Sequence, residues 1–151
     1  MAIVRAAAEH DLPRILELYQ ELVITTSQQE LKRGSPGDDY QRVFNEIQNV
    51  PGYELLVVEE NGIVLGTMVL LIIPNLSHSA LPWALIENMM VDSSYRRRGL
   101  GRLLMDYAIA RAKEAGCYKI QLSSNKKRPE AHQFYQSSGF EDSAHGFRMY
   151  L

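Results

Sequence analysis

The segment from Arg96 to Arg102 combines three consecutive arginines with Gly99 and Gly101. It follows the apolar run 85–91 and precedes apolar residues at the spacing of an amphipathic helix. The first amides of such a helix have no intrahelical acceptor, and Ser94, the nearest upstream capping residue, lies too early to cap a helix that begins near Gly99. The turn therefore predicts a phosphate or pyrophosphate site at the positive end of the helix dipole.

The same turn has a simpler interpretation, namely a solvated basic turn in which Gly99 is itself an acceptable N-cap. The strand before it and the long helix after it favour the anion site. The two common nucleotide-binding loops are excluded, because the chain contains neither G-x-x-x-x-G-K-[ST] nor G-x-G-x-x-G.

The composition is that of an ordinary globular protein, with 46% hydrophobic and 23% charged residues. The length of 151 residues predicts a single domain over 1–151. A net charge of −2 gives no general attraction to nucleic acid or to anionic membranes, so neither is expected as a partner. The one cysteine excludes an internal disulfide, and no secretory signal is apparent, which together favour a cytoplasmic location. The longest apolar run, 68–74, is far shorter than the roughly 20 residues of a membrane span.

Hydrophobic periodicity predicts both the helices and the strands that must position this turn. The helical segments are 9–23, 40–50, the segment after Gly99, and 129–137. The strand segments are 3–6, 53–59, 63–73, 83–91, 118–123, 140–142 and 147–151. The polar stretch 25–39 predicts a loop, and Asn61-Gly62 predicts a tight hairpin turn.

This order of elements indicates a mixed α/β (α+β) fold, in which an antiparallel meander is followed by a β-α-β unit. We expect a mostly antiparallel sheet of six to seven strands with about four helices on its faces. Strands 83–91 and 118–123 are expected to be parallel neighbours through a right-handed crossover. The anion turn then lies at the carboxyl end of strand 83–91, where open α/β sheets bind their ligands.

With these motifs in order, the chain resembles the GCN5-related N-acetyltransferase (GNAT) family along essentially its whole length. The likeness rests on the strand 86–91, on Arg96-x-x-Gly99-x-Gly101 after it, on the strand–helix–strand that frames this motif, and on a second motif. That second motif is Ala131-His132-Gln133-Phe134-Tyr135 with Ser138-Gly139-Phe140. The pattern over 123–135 looks most like small-molecule acetyltransferases of the aminoalkylphosphonate type. Asn125 departs from the family pattern, because it stands six residues ahead of Ala131 instead of three.

The resemblance implies the GNAT fold, in which the strand before the first motif carries a bulge and splays from its parallel neighbour. It also implies acetyl-CoA as cosubstrate, with its pyrophosphate on the amides of the turn and its pantetheine beside the backbone of this strand. The arginines either meet the 3′-phosphate or are solvated surface side chains. Asn125 either contacts the cofactor or stabilises its own loop. The implied cofactor-binding residues are Met90, Val91, Arg96, Arg97, Arg98, Gly99, Leu100, Gly101, Arg102, Asn125, Ala131, Phe134 and Tyr135.

Amide formation from a thioester needs a neutral amine and a proton for the departing thiolate. An alkylamine, with a pKa of ~10, must first lose its proton, so a base is needed. Glu87 is the candidate base, acting through water. Its alternative role is a surface carboxylate or the partner of an arginine. Tyr135 is the candidate general acid, and its alternative role is a core aromatic. Strand alternation places Asn88 on the face away from Glu87, unless the bulge resets the parity. The Val91 N–H is the candidate oxyanion donor, and neither a metal nor a covalent acyl-enzyme is expected.

The acceptor depends on segments that vary widely within the family. The resemblance places its pocket in 19–40 and 73–83, with Tyr19, His78 and Trp83 as candidate contacts, although Trp83 is equally well explained as core. We expect an N-acetyltransferase that acts through a ternary complex on the primary amine of a small molecule. An amine that also bears an acidic group is the favoured candidate. Two alternatives remain open: a peptide or protein (N-terminal or lysine) acetyltransferase, and a non-catalytic CoA-binding sensor or interaction module. Homodimers are common among such proteins, and the oligomeric state is left open.

Overall fold

The computed structural model describes residues 1–21 and 37–151, with side chains from residue 39 onwards in the second stretch. These residues form two compact units, Met1–Gln121 and Leu122–Leu151, each of which is described by itself. The expectation of one domain over 1–151 stays a prediction. No helix in the described ranges combines the length and the apolar character that crossing a bilayer requires.

The first unit is built on a five-stranded sheet in the order β1-β2-β3-β4-β5. Its strands are β1 Ile3–Ala6, β2 Tyr53–Glu60, β3 Ile63–Ile73, β4 Trp83–Val91 and β5 Ile120–Gln121. The pairs from β1 to β4 are antiparallel, whereas β4 and β5 are parallel. Asn61 and Gly62 have φ angles of 53° and 78°, as a two-residue type I′ hairpin requires. The mixed, mostly antiparallel sheet and its hairpin are therefore confirmed.

The described residues contain four helices longer than one turn, in agreement with the predicted number. They are α1 Leu12–Gln20, α2 Gly37–Gln48, α3 Leu100–Glu114 and α4 Pro129–Ser137. A 3₁₀ turn, Glu9–Asp11, precedes α1, and another, Ser93–Tyr95, precedes α3. The predicted loop 25–39 is wrong at 37–39, which form the start of α2, and the Asp39 carboxylate in its first turn suits the helix dipole. The rest of that loop and the end of the predicted helix 9–23 lie outside the described residues.

Helices cover both faces of the sheet. On one face, α1 and α2 bury Ile15, Leu18 and Phe44 against a cluster from β2, β3 and β4 that includes Val69 and Met90. The alternate strand residues are buried on the opposite face, and α3 packs on these strands with a buried stripe of its own. That stripe consists of Leu100, Leu104, Met105, Ala108 and Ala112. Packing on both apolar faces of the sheet fixes the position of β4 between α1 and α3.

The predicted number of strands is too high for the described residues. Segments 140–142 and 147–151 lie outside the sheet, and the segment 118–123 contributes only the short strand β5. The side chains of Phe147, Met149 and Leu151 are exposed. Alternating apolar residues predicted strands here, but β propensity reflects packing against neighbours, and without a ladder it does not make a strand.

Gly66 of β3 lies close to the backbone of β4. A Cβ at this position would lie 2.9 Å from the Met90 carbonyl oxygen and 2.9 Å from Val58 Cγ1. We expect Gly66→Ala to lower the free energy of unfolding by about 1–3 kcal/mol, because a paired carbonyl cannot move aside without disturbing the ladder. Urea denaturation measures the change. Gly146→Ala is the control, since nothing lies within 4 Å of its added Cβ; equal losses in the two variants would contradict this account.

Candidate active site

A β-bulge in β4 sets the direction of its functional side chains. Thr67 of β3 pairs with Met90 and Val69 pairs with Glu87, so β4 carries one extra residue between these two pairs. Asn88 lies in the bulge and has a φ of 51°. Because Thr67 and Val69 share a face of the sheet, Glu87 and Met90 also share it, although they are three positions apart. The bulge implied by the family resemblance is therefore present, and it resets the strand parity.

Tyr19 of α1 reaches this bulge. Burial, with Tyr53 nearby, raises the pKa of Tyr19 to about 12, while hydrogen bonds with the Asn88 and Thr67 side chains act in the opposite direction. Asn88 thus lies on the α1 side of the sheet, the same side as Glu87. Simple strand alternation would have placed it on the opposite side, so the bulge resets the parity. A buried phenol and two polar side chains meet beside Glu87.

Glu87 itself is exposed. Its charge acts on Tyr53, whose pKa is raised mainly by burial and further by this carboxylate. Within residues 1–21 and 37–151, no arginine or lysine forms an ion pair with Glu87. A carboxylate in contact with water and without a cationic partner can accept a proton through that water.

One edge of β4 is open along the second half of the strand. The parallel ladder to β5 covers two residue pairs, at Ala84 and Leu85 of β4. In the described part of the chain, residues 86–91 have no ladder partner on the β5 side, whereas residues 86, 87, 90 and 91 pair with β3. This early end of the ladder is the splay expected of the fold. It leaves backbone N–H and C=O groups that an extended ligand can pair with.

The glycine turn has the geometry that the sequence predicted. Helix α3 begins at Leu100, directly after Gly99 with a φ of 79°, and no side chain caps this end. Arg97 also has a positive φ, 62°, and the Leu103 N–H donates to the Gly99 carbonyl at 3.1 Å. The amides of the first helical turn have no acceptor within the helix. An exposed basic turn therefore adjoins the positive end of the α3 dipole.

Two arginines of this turn already have carboxylate partners. Arg98 pairs with Glu60 at 2.9 Å and lies 5.4 Å from the centroid of the Tyr95 ring. Arg96 lies 3.7 Å from a Glu21 carboxylate oxygen. Both arginines would therefore have to share or release a carboxylate in order to meet a phosphate.

Asp92 ties the end of β4 to α1. Its carboxylate accepts the Ser94 N–H at 2.8 Å and pairs with the Arg14 guanidinium at 2.5 Å. Arg14 also donates to the Val64 carbonyl at 2.9 Å. The hydrogen bond from Arg14 is the main reason that the pKa of Asp92 is lowered. This network precedes the glycine turn and orients the chain that enters it.

The stabilisation from Asp92 is expected to depend on pH. A carboxylate with a lowered folded pKa stabilises the fold above its usual pKa of 3.8, and this stabilisation is lost as the pH falls through the folded value. Asp92→Asn should therefore melt below the wild type at pH 7, and the two melting temperatures should converge in acid. Thermal melts from pH 7 downwards test this, with the exposed Asp106→Asn as control. A gap between Asp92→Asn and the wild type that stays constant with pH would contradict it.

In the second unit, Tyr135 of α4 packs in an aromatic cluster. Its ring lies edge-on to Phe134 at 5.6 Å and to Phe140 at 6.1 Å between centroids. Burial raises the pKa of Tyr135, and Arg128 opposes this shift. A phenol with a raised pKa keeps its proton at neutral pH, as a general acid must. The predicted roles of Ala131, Phe134 and Tyr135 toward a cofactor stay predictions.

Asn125 organises the turn before α4. Its side-chain oxygen accepts the Lys127 N–H at 3.0 Å, and its carbonyl accepts the Arg128 N–H at 3.1 Å. His132 Nε2 lies 2.8 Å from the same carbonyl oxygen. These contacts favour the second alternative for Asn125, stabilisation of its own loop.

The three predicted acceptor contacts fall at two ends of β4. Tyr19 lies at the bulge, whereas Trp83 begins the strand, four residues or about 13 Å from Glu87. His78 stacks on Tyr118 with 4.1 Å between ring centroids and an interplanar angle of 14°. Tyr19 therefore lies beside the bulge, whereas His78 lies near the start of β4.

Sequence reasoning missed Thr67 and Tyr53 at the bulge and Lys119 beside Trp83. Thr67 and Tyr53 lie in apolar strands and look like ordinary strand residues in the sequence. Lys119 approaches the Trp83 ring across the parallel ladder, a contact between residues distant in sequence. Asn88 has a positive φ, which asparagine tolerates better than most residues, but the residue type alone does not locate a bulge.

Two curated relatives are similar to parts of this chain. A glucosamine 6-phosphate N-acetyltransferase from Trypanosoma brucei brucei is 38% identical over 95 residues, 62% of this chain and 60% of that protein. An aminoalkylphosphonate N-acetyltransferase from Salmonella typhimurium is 33% identical over 66 residues, 44% of this chain and 43% of that protein. The chain thus matches less than two thirds of the length of either relative.

Whole-chain similarity comes from a solved structure and a family profile. A protein from Agrobacterium tumefaciens, provisionally described as an acetyltransferase, has a TM-score of 0.87 and 37% identity, with 99% of both chains covered. The sequence profile of the acetyltransferase (GNAT) family matches residues 12–140. With its bulged β4, its uncapped glycine turn and this match over most of its length, the chain belongs to the GNAT acetyltransferase family.

Proposed function

We propose that this protein transfers an acetyl group from acetyl-CoA directly to the primary amine of a small anionic molecule within a ternary complex. The bulge of β4 carries the proposal, because it brings Asn88 and Met90 to the α1 side of the sheet, where Glu87 lies, while the β5-side edge of residues 86–91 is open. The uncapped start of α3 follows shortly after this edge in the chain.

The described residues suit the parts of acetyl-CoA. The first amides of α3 and the basic turn suit the pyrophosphate, and the open edge of β4 suits the peptide-like pantetheine chain. Gly99 has no side chain and a positive φ, so the backbone can approach an anion closely. The thioester would then lie along the second half of β4, on the strand that carries Glu87.

The proposed reaction removes two protons from the substrate ammonium and gives one proton to the departing thiolate. The amine nitrogen forms a bond to the thioester carbon, and the C–S bond then breaks. Glu87 takes the proton of the incoming ammonium through water, and the Val91 N–H is the proposed donor to the developing oxyanion. The thiolate takes the phenolic proton of Tyr135, and the second proton of the nitrogen restores the Tyr135 hydroxyl through water. Glu87 then gives its proton to solvent. No covalent enzyme intermediate is required.

The relatives support an acceptor that combines an amine with a phosphate or phosphonate. The names of both curated relatives specify such a molecule, glucosamine 6-phosphate in one and an aminoalkylphosphonate in the other. These names favour a small-molecule acceptor over a peptide or protein. The exposed carboxylate of Glu87 favours an enzyme over a CoA sensor, because binding alone needs no base.

A free-thiol release assay with acetyl-CoA tests the proposal against a panel of acceptors. The panel contains glucosamine 6-phosphate, 2-aminoethylphosphonate, their uncharged counterparts, a polyamine and short peptides. We expect turnover with an anionic amine and intersecting initial-velocity lines, as a ternary complex requires. Parallel lines would contradict direct transfer. Turnover with peptides alone would favour the protein acetyltransferase, and cofactor binding without thiol release would favour the sensor.

A further inference from the structure

Lys119 presents a positive charge beside the start of β4. Its ammonium lies 4.9 Å from the centroid of the Trp83 ring and 5.5 Å from that of Tyr118, and it donates to Gln121 Oε1 at 3.1 Å. Two rings and an amide therefore hold the end of a side chain that is otherwise flexible. Throughout the described ranges, no carboxylate pairs with this ammonium, so its charge is uncompensated.

Lys119 and Glu87 act on the same face of the sheet. The register from Ile73–Trp83 to Val69–Glu87 is uninterrupted, so residues 83, 85 and 87 share a face. Gln121, which accepts from the Lys119 ammonium, pairs with Leu85 on this face.

The separation of these two charges matches a small molecule. Leu85 and Glu87 are about 7 Å apart along β4, and neighbouring strands lie about 4.8 Å apart. The ammonium contacts both Gln121, at the level of Leu85, and the Trp83 ring, and it therefore lies roughly 8–14 Å from Glu87 along the sheet. An amine and an anionic group joined by a few bonds span such a distance, with the cationic end at the carboxylate.

We propose that Lys119 determines acceptor specificity by binding the phosphate or phosphonate of the substrate while the substrate amine lies at Glu87. This inference rests on the proposed function and adds the residue that recognises the anion. A lysine ammonium is a compact charge with three donors, which suits a tetrahedral anion. The Trp83 ring keeps the ammonium on the face where the acceptor lies.

The test compares glucosamine 6-phosphate with glucosamine, which differ by the phosphate. Lys119→Gln should lower kcat/KM for the phosphorylated amine roughly tenfold or more, mainly through KM, because a charged hydrogen bond is lost. It should leave kcat/KM for glucosamine unchanged. Lys119→Arg should keep most of the preference for the phosphorylated amine. Lys113→Gln, on an exposed position of α3, makes the same change in net charge and should alter neither substrate.

Each other outcome has a defined meaning. Equal losses with both amines would overturn the role of Lys119, because a general structural defect affects both. A wild type that acetylates the uncharged amines but not the phosphorylated or phosphonylated ones would also overturn it, while acetyl transfer would stand. Failure of every acceptor in the panel would overturn the proposed function, and this inference with it. Thermal melts confirm that Lys119→Gln is folded.

Discussion

Replacing Tyr135 by phenylalanine is expected to lower kcat roughly 10²- to 10⁴-fold and to leave the affinity for acetyl-CoA almost unchanged. The substitution removes the hydroxyl that we propose as the proton donor to the thiolate. It keeps the ring that packs edge-on against Phe134 and Phe140. Steady-state kinetics and calorimetry with acetyl-CoA measure the two quantities separately.

Tyr150→Phe is the matched control, because Tyr150 is largely exposed and the same hydroxyl is removed. Turnover by Tyr135→Phe equal to that of the wild type would remove Tyr135 from the mechanism. A parallel loss of cofactor affinity and of kcat would instead assign the residue to binding. Because its pKa is raised, Tyr135 stays protonated from neutral to mildly alkaline pH, so its titration should not lower kcat over this range.

Glu87→Gln is expected to lower kcat/KM roughly 10²- to 10⁴-fold at neutral pH, because the amide cannot accept the ammonium proton. The loss should shrink as the pH approaches the pKa of the amine, ~10 for an alkylamine such as 2-aminoethylphosphonate, where the substrate is already neutral in solution. A pH series of kcat/KM for the wild type and the variant measures this convergence. A deficit that stays constant with pH would assign Glu87 to binding or structure.

The control for Glu87→Gln is Glu141→Gln, which makes the same substitution at an exposed position outside the sheet. It should leave kcat/KM unchanged at every pH. The two variants carry the same net charge, so the comparison separates a local proton transfer from a general change in surface charge.

The features that could be predicted from the sequence are those that a few consecutive residues determine. Asn61 and Gly62 both tolerate positive φ, so the hairpin turn follows locally. The glycine turn before α3 is likewise local, because Gly99 has no capping side chain and the apolar spacing after it is helical. These segments are where prediction and structure agree in detail.

The features that could not be predicted depend on partners distant in sequence. The bulge at Asn88 exists because β3 and β4 pair with one unmatched residue, and nothing in the run 85–91 marks which residue that is. The predicted strands 140–142 and 147–151 have the composition of strands without a ladder to complete them. The contact between Lys119 and Trp83 requires the parallel pairing of β4 with β5.

Mass spectrometry of the reaction products tests the central claim most directly. Acetyl-CoA and an amine that bears a phosphate or phosphonate are incubated with the protein, and both the amine and the protein are analysed. We expect N-acetylated amine in amounts equal to the free CoA released, with the protein itself unmodified. Free CoA without an acetylated amine, or an acetyl group retained on the protein, would contradict direct transfer to a small anionic amine.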